Sequence, residues 1–187
     1  MTAIVGLVHN GRVLLGGDSA GSNDYFVAVR ADPKVFTTGP YVMGFTYSFR
    51  LGDLLRYNLT PPRPDGNLDR FMRTAFIDAV RTCLKAGGFS RKDNEQESGG
   101  TFLVGVVGRL FRVDCDYQVG ETLCGYDAVG SGEGVASGSL HTSATLDMAP
   151  EARVTAALSA AAEHSAGVRP PFNLVWEPRS TQRRNTP

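Results

Sequence analysis

The chain has 187 residues, of which 42% are hydrophobic and 20% charged, a composition that suits one globular domain with a sizeable core. Nineteen basic residues balance nineteen acidic ones, so nothing favours a nucleic-acid or anionic-membrane partner, each of which calls for a basic surface. We find neither a secretory signal nor an apolar run of the ~20 residues that a membrane helix needs. We therefore expect a cytoplasmic protein, with Cys83, Cys115 and Cys124 as reduced thiols.

The first 46 residues predict short, buried strands. Two apolar segments flank Asn10-Gly11, which is the strongest short hairpin signal because both turn residues must adopt positive φ. Their apolar character is nearly continuous, so both faces of each strand are expected to be covered. The strands predicted here are 3–8, 13–17, the pair 27–30 with 35–36, and 41–46.

Apolar residues spaced three and four apart predict two helices in the middle of the chain. The first begins near Ser48, whose side chain can cap it, and ends before the proline-rich segment 60–67. The second covers 68–84 and ends at Gly87-Gly88. A polar loop is predicted to follow.

The second half again places strands before helices. Its hairpin turns about Gly108-Arg109, and Pro150 suits the first turn of a helix. The elements predicted here are strands 101–107, 110–113 and 126–129, a small-residue helix to about 140, a helix from 150, and a strand at 172–176.

The order of these elements predicts the fold class. Hairpins dominate over βαβ units, so an α+β fold with mostly antiparallel sheets is expected. Helical pairs between the strand groups suggest two sheets packed face to face with helices outside. We expect one domain over 1–177 and a disordered tail over 178–187.

Thr2 is the first candidate for chemistry. Removal of a methionine that precedes a small residue would leave Thr2 with a free α-amine beside its hydroxyl. A hydroxyl nucleophile needs an adjacent base, and an α-amine with a pKa of about 7.7–8.0 titrates near working pH. One residue can thus supply both groups, although Thr2 taken alone is better explained as an ordinary residue near a chain end.

Asp18 and Lys34 are charged residues in apolar surroundings. Asp18 ends the strand LLGG, and Lys34 interrupts an apolar stretch in DPKVF. Buried charges are costly unless they are paired, and a buried pair near the chain start would lower the pKa of a nearby α-amine through the lysine charge. Each of them taken singly is more often a surface charge.

Several segments resemble, in order, the proteasome β-type subunits, and most of all the HslV-type peptidase that partners an unfoldase ATPase. After the Met-Thr start these are IVGLVHNGRVLLGGDS, DPKVF, GPYVMGF, AVGSGEGVA and AALSAAAEHSAG. The resemblance covers most of 1–176 and is weakest over 60–100. It implies a four-layer αββα sandwich of the N-terminal-nucleophile hydrolase type and hydrolysis of peptide bonds.

The resemblance also implies roles for individual residues. Thr2 matches the nucleophile, Asp18 and Lys34 the pair that tunes its amine, and Ser131 the serine that hydrogen-bonds near that amine. Ser48 falls where the family usually has a glycine whose backbone N–H forms the oxyanion hole. A backbone N–H remains with any side chain except proline, so a donor can persist there.

Two features of the resemblance concern the substrate cleft. The chain reads YSFRLGD where the family usually has Gly-Gly-small-Ala-Asp, and these larger side chains would crowd or reshape the cleft. An acidic and a basic residue would make the first specificity pocket polar. The residues matched to that pocket are Gly21, Asp32, Phe36, Thr46 and Arg50.

The resemblance implies a threonine peptidase that needs no metal or organic cofactor. Its implied partners are a peptide or unfolded-protein substrate, further copies of the chain in a ring, and an ATPase unfoldase. Two alternatives stay open. The substitutions around Ser48 would suit a catalytically silent structural subunit, and the same fold can serve a hydrolase of small amides.

Overall fold

The computed structural model describes residues 1–23, 25–93 and 96–179. The described strands are β1 (Ile4–His9), β2 (Arg12–Gly17), β3 (Ala20–Ser22), β4 (Val27–Val29), β5 (Val35–Thr38), β6 (Tyr41–Phe45), β7 (Arg91–Asp93), β8 (Gln96–Ser98), β9 (Phe102–Val106), β10 (Arg109–Val113), β11 (Val119–Glu121), β12 (Tyr126–Val129) and β13 (Asn173–Trp176). The described helices are α1 (Phe49–Asp53), α2 (Leu68–Phe71), α3 (Ile77–Ala86), α4 (Glu133–Ser143) and α5 (Pro150–His164), with π-helical segments at Leu54–Asn58 and Met72–Phe76.

Two antiparallel sheets form the centre of the molecule. The first sheet has the strand order β12-β1-β2-β13, and the second sheet has the strand order β11-β10-β9-β6-β5. Helices α4 and α5 pack on the first sheet, while α1, α3 and the π-helical segments cover the second. The predicted α+β fold with four αββα layers is therefore confirmed.

Apolar side chains from both sheets form the central layer of the core. Leu15 of β2 lies there with side chains such as Ile4, Val42 and Leu103, all without solvent exposure. The turn between β1 and β2 has the predicted positive φ at Asn10 and Gly11, 48° and 68°. This hairpin thus begins the chain with two strands buried on both faces.

The pairing predicted for the segment 27–30 is wrong. Strand β4 pairs with β3 rather than with β5, and β5 pairs with β6. The β3–β4 turn is closed by Asn23, whose side-chain oxygen accepts hydrogen bonds from the amides of Tyr25 and Phe26. Asparagine is a common turn former for this reason, and β4 is left exposed on the surface.

The segment predicted to be a polar loop contains the antiparallel pair β7–β8. Strand β11 was also not predicted. Strands β7, β8 and β11 have three residues each. Strands of this length are too short to show the apolar alternation that identifies a half-buried strand. Of the predicted disordered tail at 178–187, residues 180–187 lie outside the described residues.

Two further observations concern the cysteines and the helices. Cys83, Cys115 and Cys124 are all free thiols. Among the described helices, none combines the length and the apolar character needed to cross a bilayer.

The inter-sheet layer makes a prediction about stability. Leu15→Ala should lower the free energy of unfolding by about 2–5 kcal/mol, because a fully buried leucine leaves a cavity when truncated. Leu123→Ala is the matched control, since Leu123 is fully exposed and should change stability by no more than about 0.5 kcal/mol. Urea unfolding measures both, and equal losses would contradict the assignment of this core.

Candidate active site

The strand register brings the candidate residues together at one end of the strands of the first sheet. Ile4 pairs with Val129 on one side and with Gly17 on the other. Thr2 lies two residues before Ile4. The residues that follow β12 and β2 in the chain therefore lie beside Thr2. Thr2 itself is 5% exposed.

Lys34 lies between Asp18 and Thr2. Its Nζ donates to Asp18 Oδ1 at 2.8 Å and to Thr2 Oγ1 at 3.0 Å. The side chains of Lys34 and Asp18 are 2% and 0% exposed. The predicted buried ion pair between Lys34 and Asp18 is thus present, and Lys34 also contacts the hydroxyl of Thr2.

Backbone amides complete the environment of the Asp18 carboxylate. Oδ1 also accepts from Ala3 N at 3.1 Å, and Oδ2 accepts from Ala20 N at 2.8 Å and Arg169 N at 3.3 Å. A buried charge is tolerated when it is paired and its remaining lone pairs are used. The part played by Arg169 was not predicted, because a backbone donor leaves no signal in the sequence.

The charge on Lys34 depends on two opposed effects. Burial lowers the pKa of the Lys34 amine from its usual 10.5, and the neighbouring Asp18 carboxylate opposes this shift. The carboxylate therefore favours the cationic form of an otherwise desolvated amine. A cation 3.0 Å from Thr2 Oγ1 favours negative charge developing on that oxygen.

Ser131 lies next to the backbone nitrogen of Thr2. Thr2 N donates to Ser131 Oγ at 3.0 Å, and Thr2 Oγ1 donates to the carbonyl of Met1 at 2.6 Å. With Met1 attached, this nitrogen is an amide and cannot act as a base. Met1 is 54% exposed, whereas Thr2 is 5% exposed.

The turn after β12 requires a glycine. Gly130 has φ 103°, and a Cβ at this position would lie 2.3 Å from the carbonyl oxygen of Thr2. The same carbonyl accepts a hydrogen bond from Gly132 N at 3.2 Å. The turn thus contacts both polar groups of the Thr2 backbone, because Gly132 donates to its carbonyl and Ser131 accepts from its nitrogen.

The amide of Ser48 is already used within the chain. It donates to the carbonyl of Thr46 at 2.8 Å, which forms a γ-turn with Tyr47 at its centre and φ 69° at Tyr47. The amide of Tyr47 has no hydrogen-bond partner within the part of the chain that the structure describes. The free donor at this loop is therefore one residue earlier than the position predicted.

Two cavities adjoin Thr2. One has a volume of about 730 Å³ and includes Ser131, Tyr47 and Arg112 in its lining. The other has a volume of about 40 Å³ and includes Lys34, Tyr47 and Phe49. Thr2 lines both cavities and therefore lies between them.

The predicted specificity pocket differs from the observed cavities. Of its five residues, only Thr46 lines either cavity described above. Phe36 is 4% exposed and belongs to the core beneath the second sheet. Arg50 donates to the carbonyl of Gly87 and lines neither cavity.

The other two predicted pocket residues contact Arg30. Asp32 accepts from Arg30 Nε at 3.0 Å, and a Cβ on Gly21 would lie 2.5 Å from Arg30 Cδ. The sequence resemblance pointed to Asp32 and Gly21 but not to Arg30, which contacts both. Nor did it single out Phe49 as a pocket residue.

The layer order matches the fold of the proteasome-like N-terminal-nucleophile peptidases, which the sequence resemblance predicted. The chain superposes on Thiobacillus denitrificans BPH with a TM-score of 0.78 at 19% identity, covering 93% of this chain and 96% of that chain. A BPH structure in complex with epoxomicin gives a TM-score of 0.77 at 18% identity, covering 93% and 97% of the two chains. At such identities the likeness establishes the fold.

Two further solved structures share this fold. Eukaryotic HslV from Trypanosoma brucei has a TM-score of 0.66 at 17% identity, covering 93% of this chain and 98% of that chain. A mutant of Anbu from Hyphomicrobium sp. strain MC1 has a TM-score of 0.66 at 14% identity, covering 94% and 81%. Comparisons with protein-family models and with curated proteins found no match.

The Gly130 turn makes a prediction. Gly130→Ala should destabilise the protein by about 1–3 kcal/mol and displace Thr2, because the new Cβ meets the Thr2 carbonyl and φ lies in a strained region. The control is Gly134→Ala in α4, where a Cβ meets nothing within 4 Å and alanine should be neutral or stabilising. Thermal unfolding measures both, and similar melting temperatures would contradict the proposed close approach.

The buried pair makes a second, pH-dependent prediction. In Asp18→Asn the carboxylate that opposes desolvation is lost, so the pKa of Lys34 falls further below 10.5. The unfolded state then binds more protons than the folded state between the two pKa values, so stability must rise with pH there. We expect a loss of about 3–5 kcal/mol near neutral pH and a smaller loss near pH ~9.

Urea unfolding at the two pH values tests this prediction. Asp147→Asn is the matched control, because Asp147 is exposed and its removal should matter little at either pH. A loss in Asp18→Asn that grows with pH would refute the assigned direction for Lys34.

Proposed function

We propose that the chain is a threonine peptidase of the proteasome and HslV kind, acting through Thr2 once Met1 is removed. The observation that carries this proposal is the contact of Lys34 Nζ with both Asp18 and Thr2 Oγ1, at 2.8 and 3.0 Å. Ser131 Oγ lies 3.0 Å from the nitrogen that would become the α-amine. A purely structural subunit has no chemical reason to keep this set together.

The geometry supports an ordered sequence of proton transfers. The α-amine of Thr2 takes the hydroxyl proton as Oγ bonds to the substrate carbonyl carbon. The C–N bond then breaks, and the amine gives that proton to the leaving nitrogen, which leaves an ester on Thr2. Water attacks the ester with the amine again as base, releasing the acid and restoring the hydroxyl. Lys34 favours the negative charge that develops on Oγ.

The oxyanion donor in this proposal is the amide of Tyr47, in place of Ser48. Ser48 N is occupied by the Thr46 carbonyl, whereas Tyr47 lines both cavities next to Thr2. Fixed backbone donors of this kind typically contribute about 10²–10³ in rate. A strained φ at Tyr47 is consistent with a functional constraint on the loop.

The proposed partners follow the resemblance. We propose a peptide or unfolded-protein substrate, and assembly of copies into a homo-oligomeric ring that an ATPase unfoldase can feed. The β3–β4 ribbon supports self-association, because its large apolar side chains are exposed. They are Tyr25, Phe26, Val27 and Val29.

The nucleophile gives the direct test. With mature protein and p-nitrophenyl acetate, intact mass should show loss of Met1 and an acetyl group on the Thr2 peptide. Thr2→Ala should abolish the adduct and peptide turnover, whereas Thr2→Ser should retain part of both, because serine keeps a hydroxyl beside the α-amine. Turnover should rise with pH as the amine loses its proton.

Thr145→Ala is the matched control, since Thr145 is exposed and lies outside both cavities. Retention of Met1 with an unlabelled Thr2 would favour the structural subunit. Turnover of small amides with none of peptides would favour the small-amide hydrolase. Turnover that survives Thr2→Ala would exclude the named mechanism.

A further inference from the structure

We infer that Phe49 closes the acyl side of this site, so that the enzyme cleaves after residues with small side chains, glycyl or alanyl, while its leaving group can be large. This inference rests on the proposed function of Thr2. It gives Phe49, which is not among the matched pocket residues, a specific role in place of the general crowding of the cleft expected from YSFRLGD.

Phe49 lies between the β3–β4 ribbon and the floor of the small cavity. Its ring packs edge-on against Phe45 with centroids 5.7 Å apart. The guanidinium carbon of Arg30 lies 4.1 Å from its centroid on the ribbon side, and Lys34 Nζ lies 5.9 Å from it. A ring held between an aromatic edge and a cation has little freedom to swing away.

The ribbon holds Arg30 over this ring. Arg30 N donates to the carbonyl of Ser19 at 2.8 Å, and its Nε donates to Asp32 at 3.0 Å. Gly21 opposite leaves the space that the arginine stem and the ring occupy, since a Cβ there would lie 2.5 Å from Arg30 Cδ and 3.5 Å from Phe49 Cε2. Gly21 and Asp32, which were matched to the specificity pocket, thus position Arg30 against the Phe49 ring.

The space beside Phe49 is the smaller of the two next to Thr2. With Met1 attached, it has a volume of about 40 Å³, and Met1 is among the residues that line both cavities. Removal of Met1 widens both spaces but leaves Phe49 beside the smaller one, where an isobutyl or benzyl group meets the ring before a hydrogen or a methyl group does. By contrast, the cavity on the other side of Thr2 has about 730 Å³.

The proton path decides which side takes the acyl group. The α-amine must give its proton to the leaving nitrogen, so the leaving group lies on the side of the Thr2 nitrogen. That nitrogen contacts Ser131, which lines the large cavity. Lys34, on the other side of Oγ1, lines the small one, so the acyl side chain enters the space that Phe49 closes.

Two esters with one leaving group test this inference. The rate of Thr2 acylation, read by intact mass and p-nitrophenol release, should be at least about tenfold higher for p-nitrophenyl acetate than for p-nitrophenyl 3-phenylpropanoate. Phe49→Ala should raise the ratio of the larger ester's rate to the acetate rate about tenfold. Peptides with alanine or leucine before the scissile bond should follow the same order of kcat/KM.

A second variant guards against misfolding of Phe49→Ala. Arg30→Ala removes an exposed side chain and frees the ring, so it should give a smaller change in the same direction. Tyr57→Ala is the matched control, because its ring also lies beside an arginine, Arg56 at 5.7 Å, and is 73% exposed outside both cavities. Its rates should equal those of the unaltered protein.

The outcomes separate this inference from the proposed function. No adduct on Thr2 with either ester means that the proposed function fails. Acylation by both esters at equal rates, or an unchanged ratio in folded Phe49→Ala and Arg30→Ala, overturns the role of Phe49 while the nucleophile stands.

Discussion

The buried pair of Lys34 and Asp18 is the constraint around which the site is organised. Two charges without solvent exposure are tolerated only because each meets the other and because backbone amides use the remaining lone pairs of the carboxylate. Those amides belong to Ala3 just before β1, to Ala20 at the start of β3, and to Arg169 in the segment beyond α5. Satisfying one carboxylate therefore ties three separate parts of the chain to the place where Thr2 lies.

The loop after β6 gives the site its individual character. Its γ-turn turns the Ser48 amide inward to Thr46 and leaves the Tyr47 amide free. The same loop starts α1 with Phe49, whose ring lies under Arg30. One loop thus provides the proposed oxyanion donor and the proposed limit on the acyl group, so chemistry and specificity are coupled through its backbone. The proposed donor is a backbone amide, so the larger side chains of this loop leave it in place.

The fold was predictable where local signals and burial agreed. The turn at Asn10-Gly11, the cap at Ser48 and the proline at the start of α5 each act within a few residues, so pattern alone located those elements. The partner of β4 was predicted wrongly, because a strand that is exposed carries no sign of which neighbour binds its backbone. The pair β7–β8 was missed because strands of three residues are too short to show an apolar alternation.

By itself, the sequence determined the residue types of the site and their order along a recognisable pattern. Thr2 at the chain start and the charged residues Asp18 and Lys34 in apolar surroundings could be singled out from the residues themselves, whereas Ser131 was named only through the resemblance. Only the tertiary structure decided which amide is free, which ring fills the small cavity, and that Arg169 helps to bind Asp18. These depend on backbone direction and side-chain packing between distant segments, which no single stretch of sequence encodes.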